Sequence, residues 1–97
     1  MAIARITTVE WDSKETCDTR QQDYVNNAPQ EFPYASQLLS VRLNETTVMA
    51  VTLYPDEQTM QKADEARAKR LSIDESSRVS IDTKVGTITL NHQKSQE

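Results

Sequence analysis

The chain reads as an α+β domain, a four-stranded antiparallel sheet with two helices on one of its faces. Three observations predict this. Apolar patterns follow one another in the order strand, helix, strand, strand, helix, strand within 97 residues. A short polar turn joins the two middle strand-like runs, which is a hairpin signal. Both of those runs are apolar on both faces, whereas a half-exposed antiparallel strand alternates apolar with polar.

Ile3–Trp11 is the first predicted strand, with Ile3, Val9 and Trp11 on one face and Ala4 and Ile6 on the other. Asp12 or Ser13 then opens a helix, and Asp12 with Glu15 three residues on has the layout of a capping box. Cys17, Tyr24, Val25 and Ala28 recur at helical spacing and form one apolar stripe. Pro29 should stop this helix, since it removes a backbone donor and restricts the residue before it. The irregular connection Pro29–Tyr34 holds two of the five aromatics, Phe32 and Tyr34.

Gln37–Leu43 is the second predicted strand, Asn44, Glu45 and Thr46 turn the chain, and Thr47–Tyr54 returns as the third. Pro55 ends it, and Asp56 suits the N-cap of a second helix. Met60, Ala63, Arg67 and Leu71 trace the inner face of that helix. Its acids Asp56, Glu57, Asp64 and Glu65 precede its bases Arg67, Lys69 and Arg70, an order that complements the helix dipole, and Glu65 and Lys69 add a favourable i, i+4 pair. Ser72–Ser77 is a polar connection. Arg78–His92 is a long strand-like stretch whose apolar parity switches at Gly86, the only glycine, which allows either one bent or bulged strand, the preferred reading, or a tight hairpin there. Residues 91–97 form a polar tail expected to fray from a single domain spanning 1–97.

Composition narrows the function classes. The net charge is −4 and no basic stripe offsets it, which argues against nucleic acid as a partner. One cysteine cannot form an internal disulfide, whereas small secreted domains usually carry several. No apolar run approaches the roughly 20 residues of a membrane span, and the first eleven residues lack the apolar core of a signal peptide. The expected compartment is the cytoplasm, with no membrane partner. Two helices cover one face of a four-stranded sheet only, so the other apolar face calls for a second copy, and a homodimer is expected.

Few residues offer chemistry. His92 is the only histidine and lies after the last apolar residue, so it is expected at the surface. Cys17 falls in the apolar stripe and reads as a packing residue. Glu10, Asp12 and Asp23 have no metal-ligand spacing, so no metal is expected. Lys62, Lys69 and Arg70 read as a solvated helix face. Arg5 and Arg42 stand inside apolar strands, where a charge is costly unless paired, so each calls for a carboxylate or an anionic ligand, unless it snorkels to an edge.

The order βαββαβ is the ferredoxin-like plan. With its two-faced apolar hairpin and long last strand, the chain resembles the dimeric α/β-barrel superfamily, and within it the antibiotic-biosynthesis monooxygenase-like domains. The resemblance is carried by Ile3–Trp11, the hairpin Leu38–Tyr54, the junction Tyr54-Pro55-Asp56-Glu57 and the strand Val79–Leu90. It implies two sheets closing face to face into a barrel, helices outside, and a cleft in each protomer between sheet and helices. Members of the superfamily include cofactor-independent oxygenases of electron-rich aromatics, haem-degrading enzymes and proteins of no known activity, so the fold permits many functions. The lone His92 disfavours the haem branch.

The resulting expectation is an apolar or aromatic small molecule bound in that cleft without a cofactor. Trp11, Phe32, Tyr34, Arg42 and Tyr54 are the expected ligand-binding residues. Any oxidation would be cofactor-independent, with Trp11, Tyr34 and Arg42 positioning the substrate, and no catalytic residue is assigned. The rival expectation is a non-catalytic binding or interaction dimer, favoured by the absence of a paired acid and base.

Overall fold

A computed structural model describes residues 1–94. Its elements are β1 (Ile3–Trp11), α1 (Lys14–Glu31), β2 (Gln37–Arg42), β3 (Thr47–Tyr54), α2 (Glu57–Gln61), α3 (Asp64–Leu71) and β4 (Arg78–Thr87), with a 3₁₀ turn at Glu75–Ser77. The sheet order is β2-β3-β1-β4 and every neighbouring pair is antiparallel. This is the ferredoxin-like arrangement, as the order of patterns predicts. No helix among the described residues is long and apolar enough to cross a membrane.

The helix ends follow local chemistry. Ser13, not Asp12, caps α1: its Oγ accepts from the Thr16 backbone N–H at 3.1 Å. Pro29 does not stop the helix, which runs on to Glu31. In the last turn the missing N–H removes one intrahelical bond and leaves the rest intact. Pro33 sets the end instead, because the residue before a proline is driven from the helical region. Phe32 accordingly sits at φ −120° and ψ 63°, and its N–H closes on the Ala28 carbonyl at 2.9 Å. The buried stripe of α1 contains Cys17 and Ala28 with Tyr24 between them, but Val25 points outward and is 52% exposed.

The second predicted helix is two. Lys62 N–H bonds the Thr59 carbonyl and Ala63 N–H that of Met60, a tightened turn that separates α2 from α3. Asp56 caps α2 as expected, its Oδ1 accepting from both the N–H and the hydroxyl of Thr59 at 2.7 Å. In β4 the backbone runs straight through Gly86, which pairs with Ala4, and the register shift falls at Glu10/Trp11. The expected bulge at Gly86 is therefore absent. The apparent parity switch marks the end of the strand: β4 stops at Thr87, and one further bond ties Ile88 N–H to the Ala2 carbonyl. His92 lies beyond it, exposed and outside any strand. Of the expected tail, 91–94 form neither helix nor strand, and 95–97 lie outside the described residues.

The core occupies one end of the space between sheet and helices. Ala28, Phe32, Tyr54, Met60 and Ala63 form it, with Ile3, Tyr24 and Leu38 packed against them. It joins the end of α1, the start of β1, the end of β3 and both short helices. The other end of that space is not filled.

Candidate functional site

Strand register explains the unfilled end. Three successive rows of side chains point from the sheet toward the helices. They are Leu38–Thr52–Arg5–Val85, then Ser40–Ala50–Thr7–Thr83, then Arg42–Val48–Val9–Ile81. The middle row holds nothing longer than threonine, so its side chains stop short of the helices. A cavity of about 120 Å³ remains above them. Trp11, Phe32, Tyr24 and Tyr54 supply aromatic walls, and Val9, Val48 and Leu71 aliphatic ones. Arg20 and Gln21 of α1 and Arg67 and Arg70 of α3 roof it.

Five arginines line this space: Arg5, Arg20, Arg67, Arg70 and Arg78. Four have carboxylates. Arg5, whose side chain is 7% exposed, pairs with Asp64 at 2.8 Å. Arg20 pairs with Asp23 and with Asp74, each at 3.0 Å. Asp74 reaches it from the left-handed region (φ 54°), which Asp tolerates better than most residues. Arg70 bridges Asp23 at 2.9 Å and Glu31 at 2.6 Å, tying α3 to α1. Arg78 donates to the Leu71 carbonyl at 2.6 Å and lies 3.6 Å from Glu75. Arg67 instead donates through Nη2 to two hydroxyls, Thr7 at 3.1 Å and Thr83 at 2.8 Å. Burial, and then the charge of Arg5, push the Arg67 guanidinium below its ordinary pKa. Ser40 Oγ is buried without a hydrogen-bond partner among the described residues.

Of the residues expected from sequence to bind a ligand, Trp11, Phe32 and Tyr54 line the cavity. Tyr34 stands outside it, 50% exposed, with the Lys62 ammonium 5.4 Å from its ring centre. Arg42 also stands outside, at the end of its row. It is held by Gln21 Oε1 at 2.7 Å, the Asn44 carbonyl at 2.7 Å, the Glu45 carbonyl and Asp18 at 2.9 Å. Arg70 is a correction to the solvated helix face, because its two carboxylate partners hold it 12% exposed, while Lys62 and Lys69 are exposed as expected. Cys17 is buried, and burial pushes its thiol pKa up. Sequence reading passed over Arg67 and Ser40. For Arg67 a signal was present: a charge on the inner face of a helix beside Met60, Ala63 and Leu71.

The arrangement can enclose a flat apolar body and hold negative charge. No carboxylate, imidazole or thiol lines it, so among the described residues it offers no conventional general base. Burial raises the Tyr24 pKa and keeps that phenol neutral. No group of acids, histidine and cysteine among the described residues could hold a metal ion.

The fold is shared with the ferredoxin-like proteins of the antibiotic biosynthesis monooxygenase type. A candidate antibiotic biosynthesis monooxygenase from Chloroflexus aurantiacus superposes with a TM-score of 0.77 at 6% identity, over 96% of this chain and 98% of that one. A dimeric ferredoxin-like protein from an uncultured marine organism gives 0.74 at 13% identity, over 97% and 93%. SnoaB, a cofactor-independent oxygenase from Streptomyces nogalater, gives 0.66 at 8% identity, over 96% and 98%. At these identities the likeness is one of architecture. No family model matches the sequence. No curated protein matches it either.

Proposed function

We propose that this protein is a homodimer that binds an apolar or aromatic small molecule in the cavity between sheet and helices of each protomer. The observation that carries the reading is the cavity itself. Its roof is polar, and its walls are Trp11, Phe32, Tyr54 and aliphatic side chains, the lining expected of a small-molecule site. The dimer is supported by the opposite face of the sheet. There Leu39 and Val41 are 46% and 44% exposed, beside Ile6, Met49, Val51 and Leu53. A neighbour in fold is described as dimeric.

The absence of a general base from the cavity lining favours binding without catalysis. Cofactor-independent oxidation, the activity named for SnoaB, would need a substrate that ionises readily, its anion facing the cavity arginines. Two measurements test the reading. Light scattering on a sizing column should give twice 11.0 kDa, and a mass of one chain would refute the dimer. Flat aromatic compounds should raise the melting temperature, since a ligand that binds only the folded state stabilises it. Oxygen uptake with small quinols, lost in Trp11→Phe, would turn the binding protein into an oxygenase.

A further inference from the structure

The charge balance of the cavity is uneven. The chain has six arginines, and five of them lie within 3.6 Å of a carboxylate. Arg67 alone has none within ion-pair distance among the described residues. It is held by the hydroxyls of Thr7 and Thr83, which aim the guanidinium without neutralising it. Its charged neighbour Arg5 is a second cation, whose one carboxylate, Asp64, is 59% exposed. A partly buried cation next to another cation is costly, and a bound anion relieves that cost. Burial first and then Arg5 push the Arg67 guanidinium below its ordinary pKa, against the weaker opposing attraction of Asp64.

Size and a second polar group narrow the ligand. A cavity of about 120 Å³ is close to one of about 150 Å³ known to bind benzene, which means one ring rather than several. Ser40 Oγ, buried and unpartnered, lies in the same row as Thr7 and Thr83 but two strands from Thr7. At the usual spacing of neighbouring strands this separates it from Thr7 by roughly 10 Å. That distance suits a ring with an acid and a hydroxyl at opposite positions, hydrogen-bonded at each end.

We infer that the cavity takes a one-ring organic anion of the para-hydroxybenzoate type. Its acid group sits on Arg67, its ring lies among the aromatic walls, and its hydroxyl meets Ser40. This rests on the ligand-binding reading above and adds the ligand's chemistry to it.

Trp11 is the only tryptophan and lines the cavity, so its emission reports occupancy. The purified protein is titrated with para-hydroxybenzoate, benzoate and the neutral para-hydroxybenzamide, with calorimetry alongside. The acid should bind at least about tenfold more tightly than the amide, the range of a charge-assisted hydrogen bond. Arg67→Gln should remove that advantage, bringing the acid down to the amide, while Arg67→Lys should keep most of it. Ser40→Ala should make para-hydroxybenzoate and benzoate equal. An amide that binds the wild-type protein as well as the acid overturns the anion preference, and so does an advantage that survives Arg67→Gln. Either result leaves the cavity as a site for neutral molecules. Failure of all three compounds to bind overturns the inference, and the ligand-binding reading then stands or falls on the melting-temperature screen. If Arg67→Gln does not fold, the wild-type ratio and Arg67→Lys decide the matter.

Discussion

Toward the helices the sheet presents Arg5, Thr7, Ser40, Thr52 and Thr83. Away from them it presents Ile6, Leu39, Met49, Val51 and Leu53. The covered face thus sets hydroxyls and a guanidinium beside Leu38, Val9 and Val48, and the open face carries an apolar patch on β2 and β3 beside Lys84, Asp82 and Ser80 of β4; neither is expected of a sheet that only builds a core under its helices. Each departure has a physical reading. Hydroxyls and guanidinium groups under a helical roof leave space and charge, which suits a ligand. Apolar side chains on an uncovered face lack a partner, and fully covering a Leu or Val contributes about 1.5–3 kcal/mol. Within the covered face a second contrast holds. Phe32, Tyr54, Met60 and Ala63 fill one end, and the short row Ser40–Ala50–Thr7–Thr83 leaves the other hollow.

The strongest way to break the first contrast is a charge at the centre of the open face. Val51 lies between Leu39 and Ile6 there, so Val51→Lys should convert the proposed dimer to monomers at micromolar concentration, read as solution mass. An unchanged mass would place the interface elsewhere. Next in size, Phe32→Ala at the packed end should cost about 3–5 kcal/mol, read as a lower urea midpoint. That is a large share of the total stability of a small domain, typically about 5–15 kcal/mol.

Ala50→Leu sharpens the second contrast, since Ala50 points into the hollow end. Overpacking a filled core costs about 1–3 kcal/mol, but here the added atoms have room. The melting temperature should hold or rise, and the ligand-induced shift should vanish. A marked loss of stability would show that the space is already filled.

The smallest effect concerns the roof. The Arg70 guanidinium above all, helped by Arg20 and Asn27, holds the Asp23 carboxyl below its usual pKa, against the opposing effect of burial. A carboxyl whose folded pKa is depressed stabilises the fold fully above its unfolded value, about 3.9, and loses that contribution as pH falls through the folded pKa. Urea midpoints should therefore drop as pH falls below that value. Arg70→Gln should make the drop shallower, and an unchanged slope would mean that this bridge contributes nothing.

Much of the fold was legible because it is written in local patterns. The bounds of β1 and β3 follow from alternation and from the polar turn before Thr47, and Asp56 announces its helix by capping chemistry. Pro29 misled because a proline in a last turn is tolerated, whereas Pro33 acts on the backbone of the residue before it. The parity switch at Gly86 misled because alternation stops having meaning where a strand ends.

The lining of the cavity was legible in part. Trp11, Phe32 and Tyr54 are aromatic side chains near element ends, which a linear reading finds. Tyr34 shares that signal and Arg42 stands out as a charge in an apolar strand, yet one faces solvent and the other is held by Gln21, Asp18 and the hairpin turn. By itself the sequence determined the order of elements, the two apolar faces of the hairpin and the aromatic stock of the chain. Only the tertiary structure decided that Ser40, Thr7 and Thr83 share a row, and that Arg67 meets Thr7 from 60 residues away. The same structure leaves Arg67 without a carboxylate. The reason is physical: periodicity acts between neighbours along the chain, whereas register and charge balance arise between residues that meet only when the sheet and its roof assemble.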